Sequence, residues 1–177
     1  MRQLVIITGD VNSGKTTMVN TVCSRLDIEG YTIGGIAQTV PVPSVEKNDY
    51  LVGDLSTGIV KLLMTTRENP SWKRFGRFWI DEQVFDWAND CARQGIRTRD
   101  VVVFDEIGPV ELEGGGLTPS FRNGLLSNRL PLLIVVIRKH LLFRMTEYFG
   151  IDLPSALTIS SDIPLDDQYD EIRAKLL

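Results

Sequence analysis

The sequence predicts an α/β domain of three layers, a mostly parallel sheet with helices on both faces. Three observations predict it. The runs Leu4–Thr8, Val101–Phe104 and Leu132–Ile137 are apolar without alternation, as strands buried on both faces must be. Segments with apolar residues spaced by three and four separate them, the pattern of helices that cover such a sheet. The chain has 177 residues, 43% of them hydrophobic, enough for one domain spanning 1–177 and too few for a second full one.

Leu4–Thr8 opens the domain as a buried strand ending at Gly9. A helix follows from near Lys15, with Val19, Val22, Cys23 and Leu26 on its buried face and Gly30 beyond its end. Tyr31–Thr39 reads as the next strand, broken by Pro41 and Pro43. Residues of about 45–80 change character. Asp49–Leu55 and Gly58–Leu63 are strand-like runs joined by the turn Ser56-Thr57-Gly58, and Trp72–Ile80 reads as a third strand. This stretch is expected to be a small antiparallel insertion of two or three strands. Asp81 caps a helix to about Gln94, with Val84, Ala88 and Cys91 inward. Val101–Phe104 runs into Asp105-Glu106, and a Gly114-Gly115-Gly116 loop precedes a helix over Pro119–Ser127. Leu132–Ile137 is a strand, Leu141–Phe149 a helix, Ala156–Ser160 a short strand and Leu165–Leu177 a final helix.

The chemistry concentrates at the first strand's end. Gly9-Asp10-Val11-Asn12-Ser13-Gly14-Lys15-Thr16 satisfies Gly-x-x-x-x-Gly-Lys-Thr, the pattern of a P-loop, and Thr17 follows. Glycines let successive N–H groups curl around a phosphate, and the helix that follows points its positive end at the anion. Lys15 is placed to reach the β- and γ-phosphates and the Thr16 hydroxyl to ligate Mg²⁺. A strand before the motif and an amphipathic helix after it supply the context this mechanism demands.

Asp105 ends an apolar strand, so it projects at the carboxyl edge of the sheet, where a second metal-shell carboxylate is needed. Glu106 beside it is the candidate base for a water aimed at the γ-phosphate. Asp105-Glu106-Ile107-Gly108 also fits the Asp-x-x-Gly string of GTPases, but no Asn-Lys-x-Asp guanine-reading string occurs. Arg138, at the end of Leu132–Ile137, and Arg77 are candidates to stabilise charge on the γ-phosphate, with Arg138 better placed by topology. The residues leave three readings open: a triphosphatase, a small-molecule kinase with its acceptor pocket in the insertion and at Gly114–Gly116, or a nucleotide-gated binding switch.

Gly9–Thr17 taken with Asp105-Glu106-Ile107-Gly108-Pro109-Val110-Glu111-Leu112 resembles a family of small nucleoside-triphosphatases, the thermostable and cancer-related ones. The resemblance extends to Asp54-x-x-Thr57-Gly58 and implies a RecA-like sheet and Mg²⁺-dependent hydrolysis of ATP, GTP and other nucleoside triphosphates. It also implies that Lys15 and Thr16 bind phosphate and metal, Asp105 the metal and Glu106 the water; Glu111 lies on the same motif without an assigned role. Members of the family commonly carry an arginine-bearing segment after the second strand. Here Gln38-Thr39-Val40-Pro41 and Glu46-Lys47-Asn48-Asp49-Tyr50 stand instead.

The remaining features bound the partners. A net charge of −4 disfavours nucleic acid, and Lys73, Arg74 and Arg77 among Trp72, Phe75, Phe78 and Trp79 read as one strand with a buried aromatic face. No apolar run is long enough for a signal peptide or a membrane span. Cys23 and Cys91 read as buried thiols and the single His140 as a helix-start residue, which suits a cytoplasmic protein. A protein partner stays open.

Overall fold

The computed structural model describes residues 3–38, 48–129 and 131–176. Its centre is a set of parallel strands: β1 (Leu4–Gly9), β7 (Val101–Ile107), β8 (Leu132–Arg138) and β2 (Ile33–Gln38), with β9 (Leu157–Ser160) at one edge. β8 lies between β7 and β1, pairing Phe104 with Val135 and Ile6 with Val135 in register. Period-two alternation sends the side chains of these apolar runs to opposite faces. Leu4, Ile6, Val102, Phe104, Leu133, Val135 and Ile137 enter one core, and Val5, Ile7, Val101, Val103, Leu132, Ile134 and Val136 enter another. Neither face of the sheet centre is wet, so neither set could be polar.

Helices close both cores. α1 (Lys15–Ile28) lays Met18, Val19, Val22 and Leu26 on the second core, with Ile172 of α6 (Tyr169–Ala174) beside them. α2 (Glu82–Thr98) lays Val84, Ala88, Ala92 and Ile96 on the first. α4 (Thr118–Leu126) and α5 (Leu142–Phe149) complete that layer, where Phe121 meets Phe104 and Phe149 edge-on at 5.1 and 4.8 Å. Asp81 caps α2 as expected, its carboxylate accepting from Gln83 N at 3.0 Å.

The sheet differs from the expectation of a mostly parallel one. β3 (Asp49–Asp54), β4 (Val60–Thr65), β5 (Lys73–Phe75) and β6 (Phe78–Ile80) do not form a separate small sheet. They extend the central one, in the order β5-β6-β4-β3-β2-β7-β8-β1-β9. Among the described strands the four pairings from β5 to β2 are antiparallel and the four from β2 to β9 parallel. The physical reason is the open edge of β2: its backbone pairs with Val52–Asp54 of β3, so the insertion covers an edge that would otherwise be exposed. Trp72–Ile80 is likewise not one strand but a hairpin turning at Gly76, which adopts φ 57°. The Ser56-Thr57-Gly58 turn is built as expected, with Asp54 accepting from Ser56 N and from the Thr57 hydroxyl at 2.9 and 2.7 Å.

Two smaller corrections concern helices and thiols. The last helix is shorter than Leu165–Leu177, because Gln168 turns back to bond Ser160, Ile163 and Pro164 and holds the preceding loop. Cys23 and Cys91 are half-buried rather than fully buried, and burial raises both thiols, to about 12 and about 11.

Candidate functional site

The carboxyl ends of β1, β8, β7 and β2 meet at one edge of the sheet, and the loop Asp10–Gly14 leads from β1 into α1 there. Gly14 takes φ 85°, a left-handed conformation a side chain disfavours, and α1 begins directly after it without a side-chain cap. Its first N–H groups are therefore available to an anion. Gly9 is buried against Ser13 and Ser161: a Cβ there would lie 2.0 Å from the Ser161 hydroxyl and 2.5 Å from that of Ser13. Those two hydroxyls bond each other at 2.6 Å, and Ser13 also donates to the Asp10 carbonyl at 2.8 Å. Lys15 is buried and donates to the same carbonyl and to Ser13 Oγ. Asp10 thus serves the loop through its backbone, while its side chain stands in solvent with Val11 and Asn12.

Asp105 and Glu106 arrive from β7. The β7–β8 register slips between Phe104 and Ile107, and Glu106 takes φ 70°, rare for a residue with a side chain. This bulge turns the two neighbouring carboxylates toward the loop. Asp105 is 4% exposed; one carboxylate oxygen accepts from Gln38 N at 3.2 Å, and the other is buried without a hydrogen-bond partner, as is the Thr8 hydroxyl. Burial pushes its pKa up to about 6, reinforced by the Glu106 charge and opposed by Gln38, Thr16 and Lys15. Glu106 is held on both oxygens, by the Arg138 guanidinium and by Gln38 Nε2 at 2.8 Å.

Glu111 has a different part. It is 4% exposed in the short helix α3 (Pro109–Leu112), and its carboxylate accepts from Gly108 N at 2.8 Å and Leu117 N at 3.0 Å. It ties the segment after Glu106 to the Gly114–Gly116 loop, and burial lifts its pKa to about 7. Nothing local in the sequence announces that part except the acid's place three residues after Gly108.

A cavity of about 660 Å³ runs along this edge from the Val11–Thr17 loop past Arg138, Asp105, Glu106 and Gln38 to Tyr50, Phe75 and Phe78. The structure brings Lys15, Thr16, Asp105, Glu106 and Arg138 to one wall of it. Arg77 lines its far end, over the ring of Phe78 at 5.0 Å, whereas Arg138 is the arginine on Glu106. His140 sits exposed in the 3₁₀ turn Lys139–Leu141 that leads into α5. Lys47 lies outside the described residues, as do Thr39, Val40 and Pro41. Among the described residues no cluster of three His, Cys, Asp or Glu could cage a metal, and no helix is long and apolar enough to cross a membrane.

Residues 4–150 match the family described as NTPase. The nucleoside-triphosphatase THEP1 of Methanopyrus kandleri is 30% identical over 135 residues, 74% of this chain and 72% of that protein. That of Methanothermobacter thermautotrophicus is 31% identical, covering 77% of this chain and 78% of its own. The crystal structure of THEP1 from Aquifex aeolicus shares the fold with a TM-score of 0.72 at 22% identity, covering 98% of both chains. A human cancer-related nucleoside triphosphatase shares it with the same TM-score at 18% identity, covering 97% of this chain and 94% of its own. The match reaches from β1 through the Asp10–Gly14 loop and the Asp105-Glu106 bulge to the end of α5, and on it this chain belongs to the nucleoside-triphosphatase family.

Proposed function

We propose that the protein hydrolyses nucleoside triphosphates to the diphosphate and phosphate, using Mg²⁺, within one RecA-like P-loop domain of three layers. One observation carries the reading: at a single bulge, Asp105 presents an unpartnered buried oxygen toward the loop while Glu106 is clamped beside it by Arg138 and Gln38. The residues fit Mg²⁺ rather than a metal held by protein alone. One carboxylate and the Thr16 hydroxyl leave the other positions to phosphate oxygens and water, the habit of this ion. When bound, Mg²⁺ neutralises charge on the β- and γ-phosphates.

The protein's own groups then divide the work. The Asp10–Gly14 loop and the start of α1 hold the phosphates through backbone N–H groups, with Thr17 at the α-phosphate side. Lys15 exchanges its contacts within the loop for the β- and γ-phosphates. A water on the Glu106 carboxylate attacks the γ-phosphorus; its proton passes to Glu106 as the bond to the β-phosphate oxygen breaks. Arg138, fixed next to Glu106, faces the charge that spreads over the γ-phosphate oxygens. Little selectivity among bases is expected, because these contacts are all to phosphates. The nucleic-acid reading gains nothing from the Trp72–Trp79 segment, whose Phe75 and Phe78 pack against the first core.

The test is phosphate release from ATP, GTP, CTP and UTP with Mg²⁺ and no acceptor, alongside Glu106→Gln. Release from several nucleotides is expected, lowered in the variant by roughly 10²–10⁴-fold with nucleotide binding intact. Equal turnover in the variant would remove Glu106 from the mechanism. Binding without release would move the reading to a kinase awaiting its acceptor.

A further inference from the structure

The cavity is longer than a triphosphate tail requires, and its two ends differ in chemistry. It follows the order of the strands, from the phosphate loop after β1 across β8 and β7 to β2, β3, β4 and β6. The loop end is polar. Beyond Gln38 the wall becomes Tyr50, Met64, Phe75 and Phe78, all half-buried, over Leu63 and Phe85. Tyr50 and Phe78 meet edge-on at 5.3 Å and hold an aromatic corner. Exposed Arg77 stands at that end as a cation.

The direction of the nucleotide decides what can fill this chamber. With Asp105 and Glu106 at the γ-phosphate, the chain of phosphates runs from β7 back toward Thr17 and α1. The base then leaves on the flank of the loop where Ser161, after β9, touches Ser13. None of Ser161, Asp162, Ile163 or Pro164 lines the cavity. The aromatic chamber lies on the opposite side of the γ-phosphate, so nucleotide and chamber do not compete for space. The cavity of about 660 Å³ includes both the phosphate end and the aromatic end.

We propose that this chamber is a second small-molecule site, taking a planar aromatic ligand with an anionic substituent while a nucleoside triphosphate is bound. The assignment rests on the hydrolytic reading, because Glu106 at the γ-phosphate sets the direction of the nucleotide. The ring lies against Phe75 and Phe78, with Met64 adapting to its outline, and the anionic substituent meets Arg77. The ligand borders the γ-phosphate and Glu106, so it is placed to alter the water there.

The probes are 1-anilinonaphthalene-8-sulfonate, an aromatic anion, and N-phenyl-1-naphthylamine, its neutral relative, each followed by fluorescence. Phe78→Ala is expected to weaken both about tenfold. Arg77→Ala, at an exposed side chain whose ring contact is with Phe78, is expected to weaken the sulfonate about threefold and leave the neutral probe unchanged. A saturating non-hydrolysable ATP analogue is expected to displace neither. Displacement by that analogue would overturn the proposal, and tripolyphosphate would tell whether the base or the phosphates occupy the chamber. Equal probe binding in wild type and Phe78→Ala would also overturn it, as would an Arg77→Ala effect of the same size on both probes. Phosphate release by wild type and Glu106→Gln, measured on the same preparations, reports the hydrolytic reading separately.

Discussion

Replacing Asp105 by Asn should make the metal-free protein more stable while disabling it. Asp105 is buried, and its carboxylate has one backbone donor, Gln38 N at 3.2 Å, with the other oxygen unpartnered. Burial lifts its pKa from 3.8 to about 6. Between about pH 4 and 6 the folded state therefore keeps a proton that the unfolded chain has lost. Because the folded state binds more protons there, stability falls as pH rises through that window, and the cost is complete above about pH 6. At 1.36 kcal/mol per pH unit the gap is worth about 3 kcal/mol. Asn keeps an acceptor for Gln38 N and carries no charge, so at pH 7 the variant should exceed wild type by up to about 3 kcal/mol. In urea melts, with a slope of about 1–3 kcal/mol/M, that is a midpoint shift of about 1–3 M. The difference should shrink toward zero near pH 4. Adding Mg²⁺ with a non-hydrolysable triphosphate should stabilise wild type and not the variant. A variant no more stable than wild type at pH 7, or a difference independent of pH, would refute the reasoning.

Three further outcomes follow from the same contacts. Glu111→Gln turns an amide NH₂ toward either Gly108 N or Leu117 N and leaves one buried donor unpaired; a loss of about 1–3 kcal/mol is expected in urea melts, and a loss under about 0.5 kcal/mol would show that Glu111 does not hold the segment. Gly35→Ala should prevent folding, at more than about 4 kcal/mol, because its φ is 98° and a Cβ would lie 2.2 Å from the Val103 carbonyl oxygen; a native circular-dichroism melt in this variant would contradict the close approach of β2 and β7. Phe104→Ala opens a cavity against Phe121 and should cost about 3–5 kcal/mol, read by calorimetry as a lower Tm.

Much of this was legible in the sequence, and what was legible shares a cause. The strands β1 and β8 and the Val101–Phe104 part of β7 are apolar runs because both faces are covered, and the loop residues Gly9, Gly14, Lys15 and Thr16 fall within one short stretch because a curled backbone demands it. The Asp81 cap is likewise a local event. What was not legible depends on distant pairings. The antiparallel half of the sheet follows from where β3 docks on β2, a choice the strand sequences share with an isolated hairpin sheet. The split of Lys73–Ile80 into a hairpin rests on a positive φ at Gly76, inside a run whose aromatic residues all suit one strand. Gln38 reaches both acids from 67 and 68 residues away, and Ser161 reaches Ser13 across 148, without any spacing that would reveal either contact.

The segment from Asp105 to Glu111 gathers the features least favourable to folding: a left-handed glutamate, a buried carboxylate with an unpartnered oxygen, and a second buried carboxylate three residues after Gly108. Strain of the first kind costs about 1–3 kcal/mol and persists only where surrounding structure enforces it. Here the enforcement is visible. Phe104 and Ile107 on either side of the bulge are fully buried, Arg138 and Gln38 hold the Glu106 carboxylate, and Glu111 fixes Gly108. A chain selected for stability alone would place a paired strand end there. Holding two carboxylates beside the Asp10–Gly14 loop against that cost is physically coherent with the proposed function, in which a bound cation and phosphate would convert the same groups from a penalty into a binding site.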